Sequence, residues 1–418
     1  MKLIILSAFV VLAAVLFHGK EHNEEALVAD FSHPPPWPIF IAVNIFAATL
    51  RKIADALTPP PIKMMDLADD YQTTMLCYAA VKFRIPDFLS TGPKSVDEIA
   101  GFMNTKETLR VERLMYALAS ESITQLDKTS PDPNKPRFVN TGLSATLRTD
   151  IKYSMASMVG HQVEEAMPVW MHLVELFGPD AKANSWDTVF PEFAVSEGGF
   201  WKYLQANPKQ EKQFGLAMTS LEGLGGKAMA LDGPFERFNR FVDVGGSMGH
   251  FLYSVLDTYQ DKKAILFDRP PVIENAKKLW LEENGTFNKA SDRVEFVAGS
   301  FFEEGSLPTL EDGDAVYMRY ILHDWADKEA EVILSNLRKR IGNKDVTVLI
   351  GESAMPDRHT VAQPAVIHHI DMQMMAVLGD AVERTPSMWK ELLPKVGFKF
   401  VTIYPTRSLL QWVEAVPV

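Results

Sequence analysis

The chain offers almost no thiol chemistry. Cys77 is its single cysteine, which excludes an intrachain disulfide and any cluster of thiolate metal ligands. The histidines form no H-E-x-x-H or comparable zinc pattern, so no metal site is expected. Basic charge is also short, with 42 lysines and arginines against 54 acids and a formal net charge of −12. That balance argues against nucleic-acid binding and suits small neutral or cationic ligands. Internal repeats and low-complexity tracts are missing too. What is left is ordinary globular composition, 47% hydrophobic and 23% charged over 418 residues, enough for two or three domains.

Long hydrophobic runs are scarce, and the first comes at the start. Leu3 to Phe17 is apolar behind Lys2. It has the length of a signal h-region and falls short of the roughly 20 residues of a spanning helix. Phe17-His-Gly-Lys20 lacks the small residues of a cleavage site. A second apolar stretch, Pro38 to Leu50, follows the proline cluster at 34–36. Residues 1–60 therefore read as a hydrophobic targeting or anchor segment with a linker, and residues 3–17 as a route to membrane association. The absence of disulfides speaks against secretion, leaving a cytoplasmic or membrane-associated location.

Residues 61–150 read as mainly helical. Asp70 to Phe83 has an apolar face, Ser95 and Glu98 have the spacing of a capping box, and Val111 to Leu118 places Leu114, Ala117 and Leu118 on one face. Ile123 to Leu126 and Arg137 to Val139, around a proline-bearing loop, suggest a short β-wing. A winged-helix-like module with mixed charges fits packing or dimerisation better than DNA reading. Residues 151–235 form a helical connector in which Met155, Met158, Met167 and Met171 read as an apolar core face.

From 236 to 418 apolar runs alternate with helical segments, at 241–244, 264–267, 294–298, 314–318, 346–350, 398–404 and 409–413, the last two joined by a short turn. This alternation predicts an α/β domain with a parallel sheet covered on both faces. Ligands in such sheets bind beyond the carboxyl ends of the strands. The first run leads into Phe-Val-Asp-Val-Gly-Gly-Ser-Met-Gly-His (241–250), a strand, a glycine turn and a helix start. Asp268 follows the second run, 19 residues past Gly249, where an acid can accept hydrogen bonds from ribose hydroxyls. Gly299-Ser-Phe-Phe302 offers an aromatic wall after the third run. Arg319 and His323-Asp324-Trp325 follow the fourth, Glu352 the fifth, and Glu383 lies past a methionine-rich helix. A histidine among acids at a nucleoside site suits a general base, with a carboxylate on its other nitrogen fixing the tautomer. Its ordinary pKa near 6.5 would leave it mostly neutral at pH 7.

Over residues 64–418 this combination resembles the class I S-adenosylmethionine-dependent O-methyltransferases of the caffeate and acetylserotonin type. Asp243-Val-Gly-Gly-Ser-Met-Gly249 is similar to the family's Asp-Val-Gly-Gly-Gly-x-Gly, Leu322-His-Asp-Trp325 to its Leu-His-Asp-Trp, and Glu383-Arg-Thr385 to its Glu-Arg-Thr. The resemblance implies a Rossmann-like methyltransferase domain behind a winged-helix dimerisation domain, and hence a homodimer that binds neither metal nor nucleic acid. It implies that Asp243, Gly245, Gly246, Ser247, Gly249, Asp268, Ser300, Phe301 and Arg319 bind S-adenosylmethionine. His323 would deprotonate a hydroxyl on a small, aromatic acceptor, with Asp324, Glu352 and Glu383 beside it. Phe214, Met218, Ile370 and Met374 match acceptor-pocket positions. Two departures stand out: the family has Asp where Ser300 stands and Lys where Arg319 stands, and Arg and Lys are not interchangeable at a close hydrogen-bonding site.

Other readings start from the same turn. Gly245-Gly-Ser247-Met-Gly249 fits the G-x-S-x-G elbow of a serine hydrolase. A nicotinamide dehydrogenase would want G-x-G-x-x-G instead. Methyl transfer to sulfur or another atom, and a non-catalytic cofactor-binding homologue, are the remaining alternatives.

Overall fold

The computed structural model describes residues 34–129, 132, 135–283, 285–357, 360 and 364–418. The Leu3–Phe17 run and Pro131 and Pro133 of the wing loop lie outside them. Contacts divide the chain into two units, Met1–Glu164 with Leu216–Ser220, and Glu165–Gly215 with Leu221–Val418.

The first unit begins with helices α1 (Trp37–Leu57) and α2 (Pro60–Lys82), each entered through a proline whose fixed φ suits the first helical turn. The apolar stretch 38–50 lies in α1, none of whose residues is buried. No helix among the described residues is long and apolar enough to cross a membrane. Helix α3 (Ile85–Leu89) and strand β1 (Lys94–Ser95) lead to α4 (Val96–Phe102), where the Ser95–Glu98 capping box forms as its spacing predicts. In α5 (Thr108–Ser120) the buried residues are Val111, Met115 and Leu118, an i, i+4, i+7 stripe. Leu114 and Ala117 flank it half-buried, so the core face is rotated by one residue from the expected one. Strands β2 (Thr124–Leu126) and β3 (Arg137–Asn140) pair antiparallel, with β1 on the other side of β3. This is the expected wing, and Ile85, Leu89, Ile99, Val111, Met115, Leu118 and Phe138 close its core.

The methionines depart from the sequence reading. Met155 and Met158 fall in the first unit and Met167 and Met171 in the second. None is buried, and Met171 is 77% exposed, so they do not form one core face.

Helix α6 (Pro208–Asp232) precedes the large sheet of the second unit. The sheet takes β4 (Arg240–Val244), β5 (Lys263–Asp268), β6 (Val294–Ala298), β7 (Ala315–Arg319), β8 (Thr347–Ser353), β9 (Phe398–Pro405) and β10 (Leu410–Pro417) in the order β6-β5-β4-β7-β8-β10-β9. All seven apolar runs become its strands. The first five are parallel, but β10 is antiparallel to both β8 and β9. The exception is physical: the turn at 406–409 is too short for a crossover, and a turn of that length joins antiparallel strands. Alternation along β4 sends Phe241 to one face with Leu266, Tyr317, Leu349 and Trp412, and Val242 and Val244 to the other with Ile265, Val316 and Val348. Helices α7 (His250–Thr258) and α8 (Pro270–Leu281) cover the first face, while α9 (Asp327–Ile341) and α11 (Pro386–Lys395) cover the second; α10 (Val366–Leu378) packs on Trp186 and Phe200 instead. Strand order reverses at β4, so its carboxyl end, with the glycine turn, lies at the switch point where such sheets bind ligands.

Gly351 of β8 stands opposite Trp412 of β10, and a Cβ there would lie 2.6 Å from the indole. Replacing it by alanine overpacks a fully buried tryptophan, so Gly351→Ala should destabilise by about 1–3 kcal/mol. Gly101 in α4 has nothing within 4 Å of a Cβ, and Gly101→Ala should stabilise by roughly 0.5–1 kcal/mol. Thermal melts followed by circular dichroism check both. Equal melting temperatures for the two variants would contradict this packing.

Candidate active site

The glycine turn is built by necessity of space. Gly245 (φ +76°) and Gly249 (φ +79°) are left-handed. A Cβ would lie 2.4 Å from Ile321 Cδ1 at Gly245, 2.5 Å from the Asp243 carboxylate at Gly246, and 2.8 Å from Trp280 Nε1 at Gly249. Ser247, where the family has glycine, also sits at φ +53°, a conformation that costs a non-glycine residue about 1–2 kcal/mol. Its N–H donates to Asp268 Oδ2 at 2.8 Å, so the acid at the end of β5 reaches the glycine turn. The Arg269 N–H donates to the other oxygen at 2.7 Å. Burial raises the Asp268 pKa, against these two donors. Asp243 lies under the turn and is pushed up to about 7, chiefly by burial, with the Tyr317 hydroxyl and Arg319 opposing.

The neighbouring walls come from the next two loops. Phe301 Cε1 lies 3.8 Å from the Cβ position of Gly245, beside Ile321. Ser300 is held by Ser306, whose hydroxyl accepts from the Ser300 N–H at 3.0 Å and donates to its carbonyl at 2.6 Å. The indole of Trp325 meets Phe302 edge-on at 4.8 Å. Arg319 places Nη2 2.8 Å from Glu222 Oε2, with its guanidinium 4.6 Å from the centre of the Phe251 ring.

His323 sits on a turn gathered around one carboxylate. Tyr320 turns left-handed at φ +57°, and the N–H groups of Ile321, Leu322 and His323 then point at Glu352 Oε1, at 3.3, 2.9 and 3.3 Å. Three successive amides on one oxygen form an anion nest. His323 Nδ1 is 2.6 Å from Glu383 Oε1 and 3.7 Å from Glu352 Oε2, while Nε2 is 3.4 Å from Asp324 Oδ1. A carboxylate this close makes Nδ1 the protonated nitrogen and leaves Nε2 as the acceptor in the neutral ring. Glu352 Oε2 and Glu383 Oε2 are buried without a hydrogen-bond partner among the described residues. The Nδ1, Glu352 and Glu383 ligand atoms lie within 4.8 Å of one another. The short Nδ1–Glu383 hydrogen bond uses the nitrogen that a cation there would need.

Electrostatics at this turn differ from the sequence reading. Burial disfavours the imidazolium, but Glu383, Glu352 and Asp324 outweigh it and raise the His323 pKa well above its ordinary value. Burial acts against the Glu383 carboxylate too, yet His323 and its hydrogen bond hold that pKa below the usual range. Burial pushes Glu352 up to about 7 and Asp324 up to about 6. The centre is therefore a His323–Glu383 ion pair beside two acids that hold their protons unusually well. The expectation of a mostly neutral His323 rests on the free imidazole value, which three carboxylates around one ring override.

Arg384 is the site residue to which the sequence reading gave no role, although it lies inside the Glu-Arg-Thr motif. It is fully buried and donates to the Leu322 and Trp325 carbonyls at 2.6 and 2.8 Å and to Asp327 Oδ1 at 2.9 Å. It thus holds carbonyls of the turn whose amides Glu352 holds. Helix α9 has no side-chain cap, so His323 is not serving as one. Asp371 of α10 accepts from the Glu383 N–H at 2.9 Å. On the same helix Ile370 and Met374 are half-buried, one turn apart, and Phe214 packs on Phe200 at 5.1 Å. Met218 falls within Leu216–Ser220 of the first unit.

A glycine turn at a sheet switch point, an acid reaching it from the next strand, and a histidine held between buried acids define a class I methyltransferase. Family comparison agrees: residues 170–399 match the O-methyltransferase domain and residues 65–150 the O-methyltransferase dimerisation domain. The chain belongs to the O-methyltransferase family, and S-adenosylmethionine is its cofactor. It is 29% identical to the phenazine O-methyltransferase of Lysobacter antibioticus, over 85% of this chain and 96% of that one. It is 27% identical to the 8-amino-8-demethylriboflavin N,N-dimethyltransferase of Streptomyces davaonensis, over 82% and 92%. Human N-acetylserotonin methyltransferase, solved with S-adenosylmethionine, shares the fold at a TM-score of 0.74 and 20% identity, over 86% and 99%. The family gives the G-x-S-x-G elbow and the dinucleotide reading no place here. The residues fit the cofactor, because the glycine turn offers backbone that side chains would block and Asp268 stands at its edge.

The charge arrangement is directly measurable. In isotope-labelled histidine NMR of the cofactor-free protein, His323 should titrate above 6.5, and Glu383→Gln should lower that midpoint by removing the nearest carboxylate. A wild-type midpoint at or below 6.5 would refute the arrangement.

Proposed function

We propose that this methyltransferase acts on a hydroxyl of a small aromatic acceptor, with His323 as the general base. The observation that carries the reading is the 2.6 Å contact between His323 Nδ1 and Glu383, which commits the other ring nitrogen to taking a proton. Asp243, Gly245, Gly246, Ser247, Gly249, Asp268, Ser300, Phe301 and Arg319 would hold the cofactor. When bound, S-adenosylmethionine supplies an electrophilic methyl group on a sulfonium that leaves as a neutral thioether.

The chain's own work is then orientation and proton removal. Glu352 fixes the backbone of the turn through three amides, and Arg384 fixes it through two carbonyls. Glu383 sets the tautomer of His323 and stabilises the imidazolium that forms when Nε2 takes the acceptor's proton. Asp324 flanks that nitrogen. Glu352 and Glu383 would also hold the acceptor in position. Because His323 has a raised pKa, its neutral form grows as pH rises, and a cation in the cleft lowers that pKa again. Phe214, Ile370 and Met374 would form apolar walls suited to a flat ring, methionine adapting to many outlines.

With a phenolic acceptor, His323→Gln should lower kcat by about 10²–10⁴-fold while cofactor affinity stays near the wild-type value. Labelled methyl groups in a panel of phenols and aromatic amines decide the acceptor atom. The similar N,N-dimethyltransferase favours nitrogen as the second reading. Transfer only to amines, with His323→Gln near wild-type turnover, would replace the first.

We also propose a homodimer, supported by the dimerisation-domain match over residues 65–150. Light scattering at micromolar concentration should give twice the chain mass, and a monomer would remove the proposal.

A further inference from the structure

The departure at Arg319 has a counterpart on α6. Glu222 is buried, with its side chain 1% exposed, and reaches Arg319 Nη2 at 2.8 Å through Oε2. Its Oε1 accepts from the Ser254 hydroxyl at 2.8 Å. The same oxygen lies 1.6 Å from where a Cβ on Gly226 would be, so the carboxylate lies flat over a residue that must be glycine. The guanidinium is sandwiched at 4.6 Å from the Phe251 ring and 5.6 Å from the Tyr320 ring. Arginine suits this place where lysine does not, because a planar guanidinium can stack on the rings while its charge pairs with the acid.

The location gives the pair its consequence. Arg319 ends β7 two residues after Tyr317, which pairs with Asp243 of β4, and Phe251 is the second residue of α7, just past the glycine turn. Glu222 and Arg319 both act on the charge of Asp243. Around this turn the acids Glu222, Asp243 and Asp268 stand against Arg319 and Arg269. S-adenosylmethionine carries a net charge of about +1, from sulfonium and ammonium against one carboxylate, whereas S-adenosylhomocysteine is neutral. A buried acid beside the cleft therefore binds the two unequally.

We propose that Glu222 is a positioning residue for the cofactor: clamped between Ser254 and Gly226, it holds Arg319 at the cleft and favours the cationic cofactor over its neutral product. The inference rests on the reading that Arg319 faces the cofactor. It goes beyond that reading by making selectivity the property of an acid on another element.

Isothermal titration of the full chain with S-adenosylmethionine and, separately, S-adenosylhomocysteine tests it without turnover. Glu222→Gln should weaken the first by about tenfold and the second by about threefold or less, so the ratio of the S-adenosylmethionine Kd to the S-adenosylhomocysteine Kd rises. Gly226→Ala, which displaces the carboxylate, and Ser254→Ala, which frees it, should move the ratio in the same direction and by less. The Ser254→Ala variant keeps the test alive if the other two fold poorly. Equal weakening of both ligands, or no change in the ratio, overturns the proposal, because a merely structural role would not separate them. Arg319→Lys tests the underlying reading alone. Unchanged Kd values there would remove Arg319 from the cofactor site, whereas weaker binding there with an unchanged ratio in the Glu222 variants would sink only the role of Glu222.

Discussion

One carboxylate holds the candidate active site together. Glu352 is fully buried at the end of β8, and its Oε1 collects the amides of Ile321, Leu322 and His323. Without that acceptor, the N–H groups of Leu322 and His323, just past the end of a central strand, would be buried and unpaired, at a cost of about 1–3 kcal/mol each. The turn is thus forced into one shape, and Tyr320 takes its left-handed conformation to reach it. Strain of this kind persists only where the surroundings over-determine it. Here Arg384 completes the determination by binding the Leu322 and Trp325 carbonyls.

The same device sets the electrostatics. Acids gathered to hold a turn also surround the imidazole, so positioning and pKa are not independent. Glu383 pairs with His323, and Glu352, already committed to three amides through one oxygen, is left with the other facing the ring at 3.7 Å. An imidazole held this way has its orientation fixed in advance. Its proton is held more tightly than in water.

Around the glycine turn the logic is steric first and electrostatic second. Gly245, Gly246 and Gly249 each stand where a side chain would strike Ile321, Asp243 or Trp280. The turn's tightness brings Ser247 within reach of Asp268. Ser247 drew attention in the sequence as a possible nucleophile. In the fold it accepts a glycine's conformation, and its backbone carries its one clear bond to Asp268.

Much was legible in the sequence because it was local. Period and length marked all seven strands of the sheet, the spacing of Ser95 and Glu98 marked a cap, and the order of Asp243, Asp268, His323 and Glu383 marked the family. The core face of α5 was offset by a single residue, since several helical registers share the same apolar residues. What the sequence could not carry was long-range. Nothing near Arg319 announces Glu222, 97 positions earlier, nor does Leu322 announce that a buried arginine 62 residues on will cap its carbonyl. The antiparallel β10 followed from a turn too short to cross over. The charge of His323 was decided by three acids that only the folded chain brings to one ring. Pattern determines which residues are buried and which strands form; burial itself, once tertiary structure has chosen the neighbours, determines charge.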